Sequence, residues 1–429
     1  MNYQESLDYL LERLPMFQRI GKAAIKKDLS NTVKMLEILG NPHKQFKSIH
    51  IAGTNGKGTS AHALTSILMV AGYKTGLYTS PHLKSFTERI RINGMEVSED
   101  FVAEFVTGYR PMIDEIQPSF FEVTVVMAFE YFRQQQVDIA IIETGLGGRL
   151  DSTNVIEPLV SLITMIGFDH MDLLGDSLDK IAFEKAGIIK PKTPVVIGNS
   201  QLDIRPVFEE VARNNGSALF VCDQYKVVSH GGNLLQTIYQ VKKGENEIYG
   251  NLTTDITAQY FGLNIPGILE TVEVLRHHSM TISDEDVING FTAIKKNTRL
   301  KGRMQILGED PIIIADISHN QPGLKTLFKQ IENELKGKLF IIFGVVKDKD
   351  LASILPLLPK HAIYLWTESK VPRSMTSDEL MKLANSQGMP GNAFKNVNEA
   401  IRMAKSLASK EDTILICGST FVVAEIDDL

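Results

Sequence analysis

Cysteine is nearly absent from this chain. It has two in 429 residues, Cys222 and Cys417, far apart and in no CxxC pair. That excludes a disulfide framework and leaves no zinc-ribbon spacing. Positive charge is not in excess either. Lys and Arg number 45 against 51 Asp and Glu, for a net charge of -6, whereas a protein that holds nucleic acid by neutralising phosphates leans the other way. No apolar run approaches the ~20 residues that cross a bilayer. The opening MNYQESLDYLL carries acids where a secretion signal carries positive charge. These absences predict a cytoplasmic protein with no nucleic-acid and no membrane partner. What remains is ordinary globular composition, 43% hydrophobic and 22% charged, in a chain too long for one core, since domains run ~100–200 residues.

Short β-branched strands alternate with helical stretches, the pattern of a mostly parallel, helix-covered α/β sheet. The clearest unit is βαβ: strand SIHIA (48–52), glycine-rich turn GTNGKG, a helix over TSAHALTSILMVAG with its apolar residues on one face, and strand KTGLYTS. The alternation continues through helix FFEVTVVMAFEYF, strand VDIAIIETG, strand LVSLITMIGFDH, helix DSLDKIAFEKAG and strand TPVVIG. From about 218 to 249 polar, alternating segments predict antiparallel edge strands, and a helix follows around 260–277. The basic stretch AIKKNTRLKGR (293–303) reads as a junction. It separates an N-terminal P-loop domain, 1–296, from a C-terminal Rossmann-like doubly wound domain, 297–429, which carries no GxGxxG turn.

GTNGKGT (53–59) is the strongest chemical signal. A glycine-rich turn opening a helix aims several backbone N–H groups at one spot, where the helix dipole favours an anion. Lys57 can reach terminal phosphates, with the Thr59 hydroxyl beside them. The usual GxxxxGK[ST] spacing is not met, because position 51 is Ile and Gly58 separates Lys57 from Thr59. Glu143 ends a buried strand, the usual place for a Mg²⁺ ligand beside such a turn. The bland alternative is an acid capping the next loop. The glycine-rich TGLGGRLDSTN after it reads as a mobile loop over a ligand. His170 reads as the end of a third buried strand on the same sheet edge. Lys185, near a helix C-terminus, reads on residues alone as a surface lysine, and Lys190 and Lys192 as solvent-facing. In the second domain IIIADISHN ends a strand with Asp316, His319 and Asn320. That is either a ligand edge or a helix N-cap by Ser318 or Asn320.

Taken together and in order, HIAGTNGKGT, GLYTSPHLKSFTERIRING, IETGLGGRLDSTNVI, DHMDLLGDSLDKIAFEKAGIIK, FGVVKDKD and ICGSTFVVAEI resemble the folylpolyglutamate synthase / dihydrofolate synthase family of the Mur-ligase superfamily. The resemblance covers nearly the whole chain. It implies that Gly53, Thr54, Asn55, Gly56, Lys57, Gly58 and Thr59 hold ATP, with Asn264, Arg303 and Asp316 as further nucleotide contacts. It implies Mg²⁺, two ions in the family, on Ser80, Glu143 and His170, with Lys185 carried as a CO₂-derived carbamate beside the second. A monovalent cation is a further candidate. Ser119, Phe120, Phe121 and Glu122, and Leu150, Asp151 and Ser152, match segments that contact the pterin-bearing substrate. His319 and Ser419 fall near the incoming L-glutamate. The chain departs from the family at Tyr260 and Phe261 (a His-Gln pair in many members), at Gln305 (a glutamate) and at Ile317 (a glycine).

The implied reaction is glutamate ligation to dihydropteroate or a reduced folate by a monomer. The substrate carboxylate attacks the γ-phosphate, and the glutamate amine displaces phosphate from the acyl phosphate. Two anions must meet, so Mg²⁺, Lys57 and Arg303 offset their repulsion. Asp316 or His319 would orient or deprotonate the amine, and closure of two domains would keep water out. Two other readings compete: a regulatory P-loop ATPase, and a cell-wall ligase acting on a nucleotide sugar. The second is disfavoured by the short segment before the glycine-rich turn.

Overall fold

The computed structural model describes residues 1–16, 28–347 and 349–429. The chain divides into two compact units. The first comprises 1–231, 238–255 and 261–299, and the second 232–237, 256–260 and 300–429. The second unit therefore also takes two short segments upstream of the junction, 232–237 and 256–260.

In the first unit eight strands form one sheet: β1 (Lys47–Ala52), β2 (Thr75–Tyr78), β3 (Ile90–Ile92), β4 (Met95–Glu96), β5 (Ile139–Glu143), β6 (Val160–Ile163), β7 (Val195–Ile197) and β8 (Leu219–Val221). Their order is β4-β3-β2-β5-β1-β6-β7-β8. β2, β5, β1, β6, β7 and β8 run parallel, and β3 and β4 add an antiparallel edge. β1, β5 and β6 are buried on both faces. That is why they read as unbroken apolar runs rather than alternating ones. One apolar cluster joins Tyr78, Phe129, Phe132 and Ile142. Another joins Ala52, Ile163, Ile181 and Ile197.

The helix Lys57–Val70 is buried from Thr59 through Leu68. It is wrapped on all sides rather than apolar on one face. Its outer side meets the helix Asp284–Thr292, where Gly290 lies so close that a Cβ would sit 2.6 Å from Ile67 Cα. The segment 218–249 also differs from expectation. β8 joins the main sheet in parallel, while β9 (Tyr225–Gly232), β10 (Thr237–Lys243) and β11 (Asn246–Thr254) form a separate sheet in the order β11-β10-β9. Connections this short permit only antiparallel pairing.

In the second unit β12 (Gln305–Glu309), β13 (Ile312–Ala315), β14 (Leu339–Phe343), β15 (Ile363–Thr367), β16 (Gly391–Phe394) and β17 (Thr413–Cys417) form a Rossmann-like sheet in the order β12-β13-β17-β14-β15-β16. All pairs are parallel except β12 with β13. Trp366 is fully buried, stacked on Tyr364 at 4.5 Å and edge-on to Phe343 at 6.1 Å. Among the described residues no helix is long and apolar enough to cross a membrane. Asp348 of FGVVKDKD lies outside the described residues.

Candidate functional site

Parallel strands deliver their C-terminal ends to one edge, and ligands bind there where the strand order reverses. In the first unit β5 lies on one side of β1 and β6 on the other, so the reversal falls at β1. Ile51 is level with Glu143 on β5 and with Leu162 on β6, and Tyr78 on β2 is level with Ile142. The loops after four neighbouring strands therefore open side by side: Thr79–Ser80, Glu143–Thr144, the glycine-rich turn 53–59, and 164–170.

The turn is fixed by glycines that admit no side chain. Gly53 has φ 151° and a Cβ there would meet Thr164 Oγ1 at 1.9 Å; Gly56 has φ 93° and a Cβ would meet Asn264 Oδ1 at 2.2 Å. The Thr164 hydroxyl donates to Asn55 O at 2.8 Å. Thr54 Oγ1 donates to Gly167 O and accepts from Gly167 N–H, both at 3.0 Å. The loop after β6 thus grips the turn. The Glu143 carboxylate lies across the start of the following helix. A methyl group on Gly58 would sit 3.4 and 3.5 Å from its two oxygens, and it accepts the Ser80 N–H at 3.3 Å. Lys57 Nζ donates to Gly53 O at 3.1 Å and Thr54 O at 3.4 Å.

Lys185 is not a surface lysine. It is 4% exposed, and its Nζ donates to Gly53 O at 2.8 Å. Burial, with the Lys57 charge adding to it, pushes its ammonium down from 10.5 to about 7, against the pull of Asp169 and Asp151. Lys190 does not face solvent freely either; its Nζ donates to Asn154 O at 2.7 Å. His170 is not at a strand end. β6 stops at Ile163, and His170 precedes the short helix Met171–Leu174 with φ 50°. Its own N–H donates to Asp169 Oδ1 at 3.0 Å.

The glycine-rich segment after β5 is held down by buried hydrogen bonds and close backbone packing. The buried Asp151 carboxylate accepts from Leu146 N–H at 2.8 Å and from the Thr153 N–H and hydroxyl at 3.0 and 2.5 Å. Burial pushes its pKa up against these donors. The Thr153 hydroxyl also meets His50 Nε2 at 2.9 Å. Gly148 lies where a Cβ would be 2.9 Å from both Glu184 O and Lys185 O, and Arg149 pairs with Glu184 at 2.8 Å. The glycines permit backbone contact with the helix Leu178–Ala186. Ser152 is buried and Leu150 is exposed. Ser119 and Glu122 form a reciprocal capping box at 2.6 and 3.2 Å for the helix Phe120–Gln134. Phe120 is buried, while the Phe121 ring lies against Gly145, 2.5 Å from where its Cβ would be.

In the second unit, Asp316, Ser318 and His319 follow β13, Ser419 follows β17 and Gly344 follows β14, again on one edge of neighbouring strands. Asp316 is fully buried and its carboxylate is occupied. Oδ2 accepts from Tyr260 Oη at 2.8 Å and Met304 N–H at 2.9 Å, and Oδ1 from Ser318 N–H at 2.9 Å. Arg303 lies near the Tyr260 hydroxyl. His319 Nδ1 is 3.0 Å from Ile317 O. Asn320 is indeed an N-cap, accepting Gly323 N–H at 3.2 Å, and Ser419 caps the last helix by accepting Phe421 N–H at 3.1 Å. Ile317 is not among the residues of positive φ, so a side chain is allowed where the family has glycine. Gln305 accepts Gly302 N–H at 2.8 Å.

Among the described residues no group of three or more His, Cys, Asp or Glu side chains is arranged to hold an ion. Glu143 sets one hard carboxylate beside the anion-directed helix start, with Ser80 held next to it through its N–H. That suits Mg²⁺, which keeps waters and phosphate oxygens around one or two carboxylates. Thr164 and Gly167, which shape the turn, were not found from sequence; a threonine three residues before a loop glycine carries no motif.

Residues 51–247 match the Mur ligase middle domain and residues 302–420 the Mur ligase glutamate ligase domain. The chain is 33% identical over 383 residues to the dihydrofolate synthase/folylpolyglutamate synthase of Escherichia coli, covering 88% of this chain and 85% of the relative. Its structure is similar to Mycobacterium tuberculosis folylpolyglutamate synthase complexed with ADP and AMPPCP (TM-score 0.88, 28% identity, 99% and 98% of the two chains). It is also similar to the bifunctional folylpolyglutamate synthase/dihydrofolate synthase with Mn, AMPPNP and L-glutamate bound (TM-score 0.83, 29% identity, 99% and 97%).

Proposed function

Because the chain belongs to the folylpolyglutamate synthase / dihydrofolate synthase family of the Mur ligase superfamily, we propose that it is an ATP-dependent ligase joining L-glutamate to the carboxylate of dihydropteroate or a reduced folate. The observation that carries this reading is the level register of β2, β5, β1 and β6, which gathers Ser80, Glu143, the turn 53–59 and the 164–170 loop. A P-loop switch needs the turn; it does not need a buried lysine hydrogen-bonded to that turn or a pinned loop beside it.

ATP and a divalent metal follow from the relatives' bound nucleotides and Mn. Gly53 to Thr59 would hold the phosphates through backbone N–H groups and Lys57, whose ammonium has only to leave two loop carbonyls. Glu143 and Ser80 would hold the metal, with His170 on a second, and the metal would supply charge to offset the phosphates. Asn264 stands at the turn through Gly56. Leu150 to Ser152 and Ser119 to Glu122 would frame the pteridine, with Phe121 its most available ring.

The substrate carboxylate forms a bond to the γ-phosphorus as the bond to ADP breaks. The neutral glutamate amine then displaces phosphate. His319 is the better candidate to take the amine's proton, because the Asp316 carboxylate already accepts from Tyr260 Oη, Met304 N–H and Ser318 N–H. Asp316 and Arg303 would serve nucleotide contacts, and Ser419 the glutamate. Lys185 would be carbamylated: neutral amine plus CO₂ gives the carbamate and a proton, turning a buried cation into an anion. Glutamate-dependent ADP release in the presence of dihydropteroate or tetrahydrofolate tests the whole reading. Release that ignores both glutamate and the pteroyl compound would leave the regulatory ATPase in its place.

A further inference from the structure

Where β6 runs out, its backbone has to find partners beyond the sheet, because an unpaired N–H or C=O inside a protein is costly. On the β7 side the last bond of the ladder is Gly198 N–H to Ile163 O at 2.9 Å. Ile166, three residues on, is met instead by a side chain. Gln201 Oε1 accepts the Ile166 N–H at 2.8 Å, and Gln201 Nε2 donates to Ile166 O at 2.9 Å. One carboxamide thus satisfies both main-chain groups of one residue, as a neighbouring strand would. Gln201 is itself anchored. Its carbonyl accepts the N–H groups of Ile204 and Arg205, both at 3.1 Å, where the helix Arg205–Asn215 begins. Ile166, Ile204 and Phe208 share one apolar cluster.

The residues on either side of Ile166 hold the glycine-rich turn. Met165 O accepts from Thr54 N–H at 2.8 Å and from Asn55 N–H at 3.3 Å. Gly167 exchanges two bonds with the Thr54 hydroxyl, and the Thr164 hydroxyl donates to Asn55 O. The grip on the turn therefore has Ile166 at its middle, and the Gln201 amide fixes Ile166. The same short loop braces the turn a second way. Gly198 packs backbone to backbone on Gly267, where a Cβ on Gly267 would lie 2.7 Å from Gly198 Cα. Gly267 is in the first turn of the helix Ile265–His277, which Asn264 opens, and Asn264 Oδ1 lies against Gly56. Residues 198–201 hence stand behind both supports of the turn.

We propose that Gln201 is a positioning residue for the nucleotide: by bracketing Ile166 it sets the 164–167 loop, and through that loop it aims the backbone N–H groups of 53–59 that receive phosphate. This deepens the ligase reading and rests on its ATP site. An array of N–H groups binds an anion well when it is aimed beforehand. A turn that spends part of its time misaimed has its affinity cut by that fraction. Two features argue for aim rather than for filled space. A leucine would occupy much the same volume, whereas only a group that both donates and accepts meets an N–H and a C=O together. The bracketed residue also lies between Met165 and Gly167, the two whose backbones hold Thr54.

The test is calorimetric titration of ADP with Mg²⁺ into the wild type, Gln201→Leu and Gln201→Glu, with urea midpoints as the check on folding. Gln201→Leu should fold and bind ADP about tenfold more weakly, the scale of one hydrogen bond. Gln201→Glu separates aim from packing. At about pH 8 its carboxylate still accepts the Ile166 N–H but repels Ile166 O, so ADP affinity should again fall about tenfold. A carboxyl held out of water against a carbonyl titrates above its ordinary ~4.3. Once protonated it does what the carboxamide does: its O–H donates to Ile166 O while its C=O accepts the N–H. The ratio of wild-type to Gln201→Glu affinity, taken at each pH, should therefore return toward unity by about pH 5.5, while the ratio for Gln201→Leu stays put. Should Gln201→Leu fail to fold, the pH course of Gln201→Glu carries the test alone. Wild-type ADP affinity in Gln201→Leu overturns the proposal. So does a Gln201→Glu ratio that is the same at both ends of that pH range, since a side chain that only fills space gains nothing from a proton. Wild-type protein that binds no ADP removes the ATP reading itself, a different result from tight binding that ignores Gln201.

Discussion

Lys185 shows how one residue can be misread from sequence and explained by its surroundings. Its helix position is that of a surface lysine, yet the chain folds it under the glycine-rich turn, onto Gly53 O. The linkage sign is definite. A lysine at about 7 in the folded protein and 10.5 ordinarily is protonated in the unfolded chain but not in the folded one between those values, so stability contributed by this site rises with pH from about 7 to 10.5 and is lost below about 7. The neutral amine also grows as pH rises through 7. At fixed dissolved CO₂, uptake of ¹³C-labelled CO₂ at Lys185, read by carbon NMR, should therefore increase through that range, and Lys185→Arg should show none. Lys185→Ala should lose most activity and regain part of it with acetate; Lys185→Arg with full turnover would return this residue to a structural role. Lys57→Ala should fold normally and lose about 10²–10³ in rate, the cost of one preorganised charge contact, measured as ADP release.

At the scale of elements, apolar runs made the parallel strands legible, because both faces of β1, β5, β6, β14 and β17 are covered. The short edge strands β3, β4, β12 and β16 were not legible. Two to five residues on a sheet's rim carry too little pattern, and β16 is only partly buried. Glu143 could be found because a carboxylate closing an apolar run has few other uses. The 145–154 loop was misjudged because glycine marks close backbone approach as readily as freedom, and here Gly148 meets the carbonyls of Glu184 and Lys185. Gly58 separates these two uses experimentally. It lies in the first turn of a helix with no positive φ, and its Cβ would make ordinary contact with Glu143. Gly58→Ala should therefore keep or gain up to ~1 kcal/mol of stability from helix propensity, while ATP-dependent turnover falls at least tenfold because the methyl covers the carboxylate. Urea denaturation and an ADP assay on the same preparation check both halves; a fully active Gly58→Ala would mean that Glu143 needs no open face there.

For the whole molecule, the basic stretch at 293–303 marked the passage between units, but nothing in it announced that residues 256–260 belong to the second. Their importance is polar, not apolar. Buried Gln330 donates to Thr257 O at 2.9 Å and accepts Gln259 N–H at 2.8 Å, and Tyr260 donates to Asp316. A fragment of 300–429 leaves these groups unanswered. It should be less stable in urea than the same fragment supplied with 256–260 as a peptide by about 1–3 kcal/mol, the cost of leaving a buried polar group unsatisfied; equal midpoints would show the five residues to be passengers.

The stacked pair Tyr364 and Trp366 has a spectroscopic consequence. Trp366 is the only tryptophan in the chain, fully buried in the second unit. Indole emission excited at the red edge of its absorption therefore watches that unit alone. The first unit, with its glycine-rich turn, is dark at those wavelengths, so a melting curve followed by indole fluorescence reports the second unit while one followed by far-ultraviolet circular dichroism reports the backbone of both. Any gap between their midpoints measures directly how independently the two halves of this ligase come apart.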